Sequence, residues 1–227
     1  MSCKKVLLSL LLLSFGCIGY SQTNVYGLKV ISSHTEYRAA VDSNPDAQLV
    51  ELIEYIPDLK LDIRYATKNN FAGTKVYDEA RAFARRPVAL ALQSVQKELR
   101  EKGLGLKIYD AYRPYSVTVK FFEVASDKNF VASPKTGSRH NRGCAVDLTI
   151  VRLRNGRELR MPTPYDSFAP EASPGFSELP NKVIANRDLL IRVMENNGFK
   201  VLHNEWWHFD YKDWKQFDLM DIPFNNL

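Results

Sequence analysis

Apolar and polar residues alternate along several short stretches of this chain and recur at helical spacing along others. Leu49-Val50-Glu51-Leu52 and Leu59-Lys60-Leu61-Asp62-Ile63-Arg64-Tyr65 predict strand pieces on either side of a Pro57-Asp58 turn. In the second piece Leu59, Leu61 and Ile63 share a face, with Tyr65 on the same parity at its exit. Leu104 to Tyr109 predicts a strand with Leu104, Leu106 and Ile108 on one side. Cys144 to Val151 alternates more strictly. Cys144, Val146, Leu148 and Ile150 form one face, and Ala145, Asp147 and Thr149 the other. Phe199 to Leu202 and Trp206 to Tyr211 predict a pair of strands.

Helical spacing appears three times. Val88, Leu92, Val95 and Leu99 follow Pro87, which suits a first helical turn, and precede Gly103, which suits a C-terminal cap. Pro114 suits a second helix start, followed by Val117, Phe121 and Val124. A third helix is expected from Asn186 to Asn196, with Leu189, Leu190, Val193 and Met194 inward and Gly198 ending it. Between these elements, Ser32 to Pro45 reads as a mobile polar lead-in, and Asn69 to Gly73 and Ser126 to Thr136 as loops. Asn155-Gly156 predicts a hairpin with Arg157 to Arg160 returning. Pro162, Pro164, Pro170, Pro174 and Pro180 make the segment 162–180 a long ordered loop, and such loops in compact domains are often functional. Trp214 and Phe217 pack the tail. Hairpins and scattered helices, rather than repeated crossovers, predict an α+β single domain with a central antiparallel sheet flanked by helices.

Composition changes this picture little. At 227 residues, with 45% hydrophobic and 25% charged residues, the chain suffices for one domain with a sizeable core. Its net charge of +5 is spread rather than striped, which argues against nucleic-acid binding. The first residues matter more. Lys4 and Lys5 precede the apolar run Val6 to Phe15, and Gly19-Tyr20-Ser21 offers small residues to a signal peptidase. We expect a signal peptide over residues 1–21, a catalytic domain over 22–227, export to the periplasm and no transmembrane span in the mature chain. Lipidation at Cys17 is the rival outcome. Cleavage after Ser21 removes Cys3 and Cys17, leaving Cys144 alone and no intramolecular disulfide.

Two stretches carry the chemistry: Ser138-Arg139-His140-Asn141-Arg142-Gly143-Cys144-Ala145-Val146-Asp147 and Glu205-Trp206-Trp207-His208. A hydrolytic zinc site takes three ligands from His and Asp or Glu and keeps a fourth position open. His140, Asp147 and His208 supply such a set, with Glu205 as the base. A turn at Gly143 feeding a strand brings His140 toward Asp147, and an Asp on a strand that is otherwise apolar needs a partner. The alternation Trp207, Phe209, Tyr211 makes the last stretch a strand, so Glu205 must act from its bent entrance. His203 remains an alternative ligand, whereas strand parity turns Cys144 away from Asp147. Arg113, at a strand-to-helix junction, is a candidate for holding a developing oxyanion.

These segments carry a resemblance. Tyr65-Ala66-Thr67 with Asn70-Phe71 and Gly73, then Asp110-Ala111-Tyr112-Arg113-Pro114, then Ser138-x-His140-x-x-Gly143-x-Ala145-x-Asp147, then Glu205-Trp206-Trp207-His208 are similar in order and type to the VanX-type zinc D,D-dipeptidases. The likeness runs from about Leu49 to Tyr211. The wider group shares its fold with D,D-carboxypeptidases and the hedgehog signalling domain. The resemblance implies one zinc ion per chain on His140, Asp147 and His208, Glu205 as general base and then acid, and Arg113 as stabiliser of the tetrahedral intermediate. It also implies that Tyr65, Ser138 and Asp166 line the dipeptide pocket, Asp166 beside the substrate ammonium. Cys144, the leader and the proline content of 162–180 depart from the pattern. The expected activity is zinc-dependent hydrolysis of D-Ala-D-Ala. A D,D-carboxypeptidase or endopeptidase acting on peptidoglycan peptides is the first alternative, and a zinc-stabilised binding module without turnover the second.

Overall fold

The computed structural model describes residues 23–227. The expected leader, its cleavage at Ser21 and the two leader cysteines lie outside the described residues. In chain order the elements are β1 (Val30–Ile31), α1 (His34–Ser43), β2 (Leu49–Glu51), α2 (Leu52–Tyr55), β3 (Lys60–Leu61), β4 (Phe83–Arg85) and α3 (Arg86–Arg100). They continue as β5 (Leu104–Asp110), α4 (Tyr115–Val124), β6 (Ala145–Arg152), α5 (Asn181–Asn196), β7 (Phe199–Leu202), β8 (Glu205–Tyr211) and β9 (Leu219–Met220).

One five-stranded sheet, ordered β3-β5-β6-β8-β7, forms the centre of this α+β fold. The pairs β5–β6, β6–β8 and β8–β7 are antiparallel, as the hairpin pattern predicts. The sheet is nevertheless mixed, because β3 joins β5 in parallel. The chain passes through β4 and α3 before it returns as β5, and such a helical crossover permits the parallel pairing. Ala145 to Val151 of β6 are buried without a break, so the central strand is covered on both faces. Helix α3 packs against β5 and α5, and α5 against β7 and β8. Val88, Leu92, Val95 and Leu99 of α3 are fully buried, each contributing roughly 1.5–3 kcal/mol. That sum outweighs a cap of about 1 kcal/mol, and α3 starts at Arg86-Pro87 with no side-chain cap at all.

The structure corrects several local expectations. Only Lys60–Leu61 of the predicted Leu59–Tyr65 strand pairs, and Arg64–Ala66 forms a 3-10 turn instead. That turn carries Tyr65 into an aromatic cluster with Phe71, Tyr77, Phe121 and Tyr165, an environment a strand exit would not reach. Strand β2 pairs with β4, a three-residue strand too short to show alternation, and Leu52 opens a helix. The polar segment from Ser32 is ordered: α1 starts at a capping box in which Ser33 and Glu36 satisfy each other's backbone donors. Tyr37 is the buried residue of α1, and its hydroxyl accepts from the Leu49 amide at 2.8 Å. The Asn155-Gly156 turn forms with Gly156 at φ +68°, but its return arm makes only the Val151–Glu158 bridge before Pro162 and Pro164 remove backbone donors. Helix α5 begins at Asn181, five residues earlier than expected, and buries Val183 in the added turn; Leu189 is only partly buried. Among the described residues no helix is long and apolar enough to cross a membrane.

Candidate active site

Sheet register assembles half of the site. Asp110 on β5 lies opposite Asp147 on β6, and Asp147 lies opposite His208 on β8. Three neighbouring strands thus place three polar side chains in one row, each buried. His140 comes from the one-turn helix His140–Arg142 that precedes β6. Gly143 ends this turn at φ +67°, a conformation glycine adopts without strain, and a Cβ there would also press on Leu49 Cδ2 at 2.6 Å and the Arg85 amide nitrogen at 3.3 Å. The turn is tied to the β5–α4 junction. The Arg113 amide donates to the His140 carbonyl at 3.1 Å, and Asn141 Nδ2 donates to the Arg113 carbonyl at 2.9 Å.

His140 Nε2, Asp147 Oδ1 and His208 Nδ1 form a triangle with edges of 3.3, 3.0 and 3.1 Å. The outer ring nitrogens fix the tautomers. His140 Nδ1 donates to the Ala111 carbonyl at 2.7 Å, and His208 Nε2 donates to Asp210 Oδ1 at 3.0 Å. Both inner nitrogens therefore present lone pairs toward Asp147 Oδ1, which is buried with no hydrogen-bond partner. Three converging acceptors repel one another unless a cation or proton lies between them. Tetrahedral bonds of about 2.0–2.1 Å set neighbouring donors about 3.3–3.4 Å apart, close to the observed edges, so the residues fit a zinc ion. Without a metal, a proton can take that place. Burial opposes charging of His208, but the facing Asp147 and Asp210 carboxylates prevail and its pKa is pushed up to about 10.

Among the described residues this trio is the one group disposed to hold a metal. His203 is exposed on the β7–β8 turn and is not part of it. Cys144 is buried away from the trio, and burial raises its thiol to about 12, consistent with a small core residue.

Glu205 is the first residue of β8, where the pairing with β7 slips between Val201 and Leu202. This irregular entrance lets its carboxylate curl back to 3.7 Å from His208 Nδ1. Burial raises its pKa. Arg113 is held from below by Asp110 Oδ2, which accepts from Nη2 at 2.6 Å and Nε at 3.0 Å. The rings of Phe121 and Tyr65 lie 4.8 and 5.3 Å from its guanidinium carbon. Burial disfavours the Arg113 charge, but the Asp110 carboxylate keeps it a cation. Asp110 Oδ1 in turn accepts from the Tyr77 hydroxyl at 2.8 Å.

These groups open into a cavity of about 220 Å³, small even beside ordinary ligand pockets of about 300–1,000 Å³. Tyr65, Ser138 and Asp166 line it, together with Phe71, Phe121 and Phe168. Asp166 takes a left-handed backbone conformation, φ +64°, which aims its side chain at Tyr65. The Tyr65 hydroxyl donates to Asp166 Oδ1 at 2.9 Å, while Oδ2 is buried without a partner. Burial, reinforced by Asp147, raises the Asp166 carboxyl to about 7. Ser138 Oγ accepts from the His140 amide at 3.2 Å and so caps the turn that carries His140.

All the residues singled out from sequence thus converge, apart from His203 and Cys144, which stand outside the metal trio. Three supporting residues were not foreseen. Asp210 could have been found two positions after His208, on the same strand face, and Asp110 three positions before Arg113. Tyr165, whose hydroxyl donates to Asp147 Oδ2 at 2.9 Å, gave no local signal.

A mixed sheet sets two histidines and an aspartate around one point, with a glutamate and a fixed arginine beside them, an arrangement suited to metal-assisted hydrolysis. Comparison with known proteins narrows the class. The family model described as D-ala-D-ala dipeptidase matches residues 45–224, and the chain belongs to that peptidase family. It is 32% identical over 178 residues to the D-alanyl-D-alanine dipeptidase of Escherichia coli, covering 78% of this chain and 92% of that protein. Its identity to the Enterococcus faecalis protein of the same name is 30% over 185 residues, covering 71% and 90%. Among solved structures, the vancomycin resistance D,D-pentapeptidase VanY in complex with Zn(II) matches at 18% identity and a TM-score of 0.37, over 59% of this chain and 75% of that one.

Proposed function

We propose that this chain hydrolyses free D-Ala-D-Ala, with one zinc ion held by His140, Asp147 and His208. A zinc ion held there would supply Lewis acidity and lower the pKa of a bound water toward about 7. The chain's own groups do the rest. Glu205 takes a proton from the attacking water as it adds to the scissile carbonyl, then delivers it to the leaving amine. Arg113, fixed through Nε and Nη2 by Asp110, turns its remaining amino group to the oxyanion. The guanidinium is held before the substrate arrives, so little reorganisation accompanies the charge shift.

The observation that carries the dipeptide reading is Asp166. A buried carboxylate with one oxygen unpartnered, at the end of a small cavity, suits the free ammonium of a two-residue substrate. A longer wall peptide has an amide nitrogen at that position and offers no charge. Purified protein given D-Ala-D-Ala, N-acetyl-D-Ala-D-Ala and a wall pentapeptide, with and without chelator, tests this. Chelator-sensitive cleavage of the free dipeptide alone is expected. Release only from the acylated or longer substrates would make the chain a carboxypeptidase instead. We also propose that residues 1–21 direct export, so that the activity meets dipeptides and peptidoglycan peptides outside the cytoplasm; N-terminal sequencing of the mature protein checks the cleavage.

A further inference from the structure

Tyr165 precedes Asp166 in a stretch without regular secondary structure, 18 residues beyond the Asp147 it touches. Its side chain is closely constrained. The ring stacks on Tyr109 at 4.5 Å and 20°, and Trp207 meets it edge-on at 5.6 Å. Tyr109 is itself anchored by its hydroxyl, which donates to Glu158 Oε1 at 2.8 Å. The Tyr165 hydroxyl is therefore presented to Asp147 Oδ2 from a fixed platform.

This contact divides the Asp147 carboxylate. Oδ2 is taken by the hydroxyl, and Oδ1 alone faces His140 and His208. A carboxylate held in this way would offer one oxygen to a metal rather than two. Outer groups that orient a ligand typically change metal affinity or activity by about 10–100-fold when removed. Left-handed Asp166 then sends the next side chain to Tyr65, so consecutive residues of one loop grip the metal ligand and form the acidic end of the cavity.

We propose that Tyr165 is a positioning residue for the metal centre: it holds Asp147 to one-oxygen ligation and makes docking of the segment 162–180 part of the metal site. The inference rests on the zinc assignment above. Tyr165→Phe keeps the ring and its stack and deletes only the hydroxyl. Zinc affinity, read by competition with a chromophoric chelator, is expected to weaken about 10-fold. The cobalt(II)-substituted protein should show a changed visible spectrum as Oδ2 becomes free to coordinate. Tyr115→Phe, which deletes a buried hydroxyl bond to the Pro134 carbonyl and leaves the Tyr165 platform intact, should change neither, and the melting temperature of each metal-free variant reports whether it folds. A zinc dissociation constant within about two-fold of the parent, or an unaltered cobalt spectrum, overturns the proposal. Neither readout involves a dipeptide, so failure here is distinct from failure of the substrate assignment.

Discussion

The sheet and the segment 162–180 deliver groups to one cavity by different physical means. On the sheet, Asp110, Asp147 and His208 stand in a row because backbone register places them there. A one-residue slip would turn each to the opposite face, so their positions are specified as strongly as the core itself. In the segment, Tyr165 and Asp166 depend on a few side-chain contacts and one left-handed residue. Two of the three proposed metal ligands are built on strands, while the proposed contact with the substrate ammonium is left to a loop. Loops tolerate change in length and composition far better than paired strands do.

The comparison breaks most visibly at the metal. His208→Ala removes one corner of the triangle and leaves Asp147 and His140 facing each other. Metal analysis should show loss of stoichiometric zinc. Lewis-acid catalysis is worth several kcal/mol, so turnover should fall by roughly 10³–10⁵-fold. Full zinc occupancy in this variant would mean that another group, such as His203, completes the set.

A narrower break is Glu205→Ala. Glu205 sits on the sheet's irregular entrance and lies outside the metal triangle. The variant should retain zinc and lose roughly 10²–10⁴-fold in kcat, the range of general acid–base catalysis. Turnover close to the parent's would assign the base elsewhere, and equal loss of zinc would make Glu205 a structural neighbour of His208.

The same division explains what could be read from the sequence. Asp147 and His208 were legible because strands alternate: parity aimed Asp147 at the site, excluded Cys144 and left Glu205 at a bend. His140 followed from the glycine turn before the strand. Strand β4 was hidden because three residues, Phe83-Ala84-Arg85, show no period. Helix α1 was hidden because it buries little beyond Tyr37, although the Ser33–Glu36 spacing of a capping box was there to be seen. The parallel edge depended on how the chain returns through α3, which no local pattern states. Asp110 takes its role from burial beneath Arg113, which no local pattern shows. Tyr165 reaches Asp147 across a loop whose path is set by its tertiary contacts, so neither residue's neighbours announce the bond.

The smallest expected effect sharpens the loop side. Asp166→Asn keeps the shape and the Tyr65 contact but removes the charge that would meet a substrate ammonium. Hydrogen bonds to charged groups are worth about 1.5–3 kcal/mol, so KM for D-Ala-D-Ala should rise roughly 10–100-fold, with kcat and zinc content little changed. The pH profile supplies the sign. With the free-protein carboxyl raised to about 7 by burial, Asp166 is protonated below that value and offers no charge to the ammonium. In the parent, KM should therefore be high at pH 6 and show an inflection as it falls through pH 7, rising again only once the substrate's own ammonium loses its proton at about 8. The Asp166→Asn variant should lose that inflection and keep a high KM throughout. If the inflection survives in the variant, another group titrates on substrate binding, and the loop's part in recognition is steric rather than electrostatic.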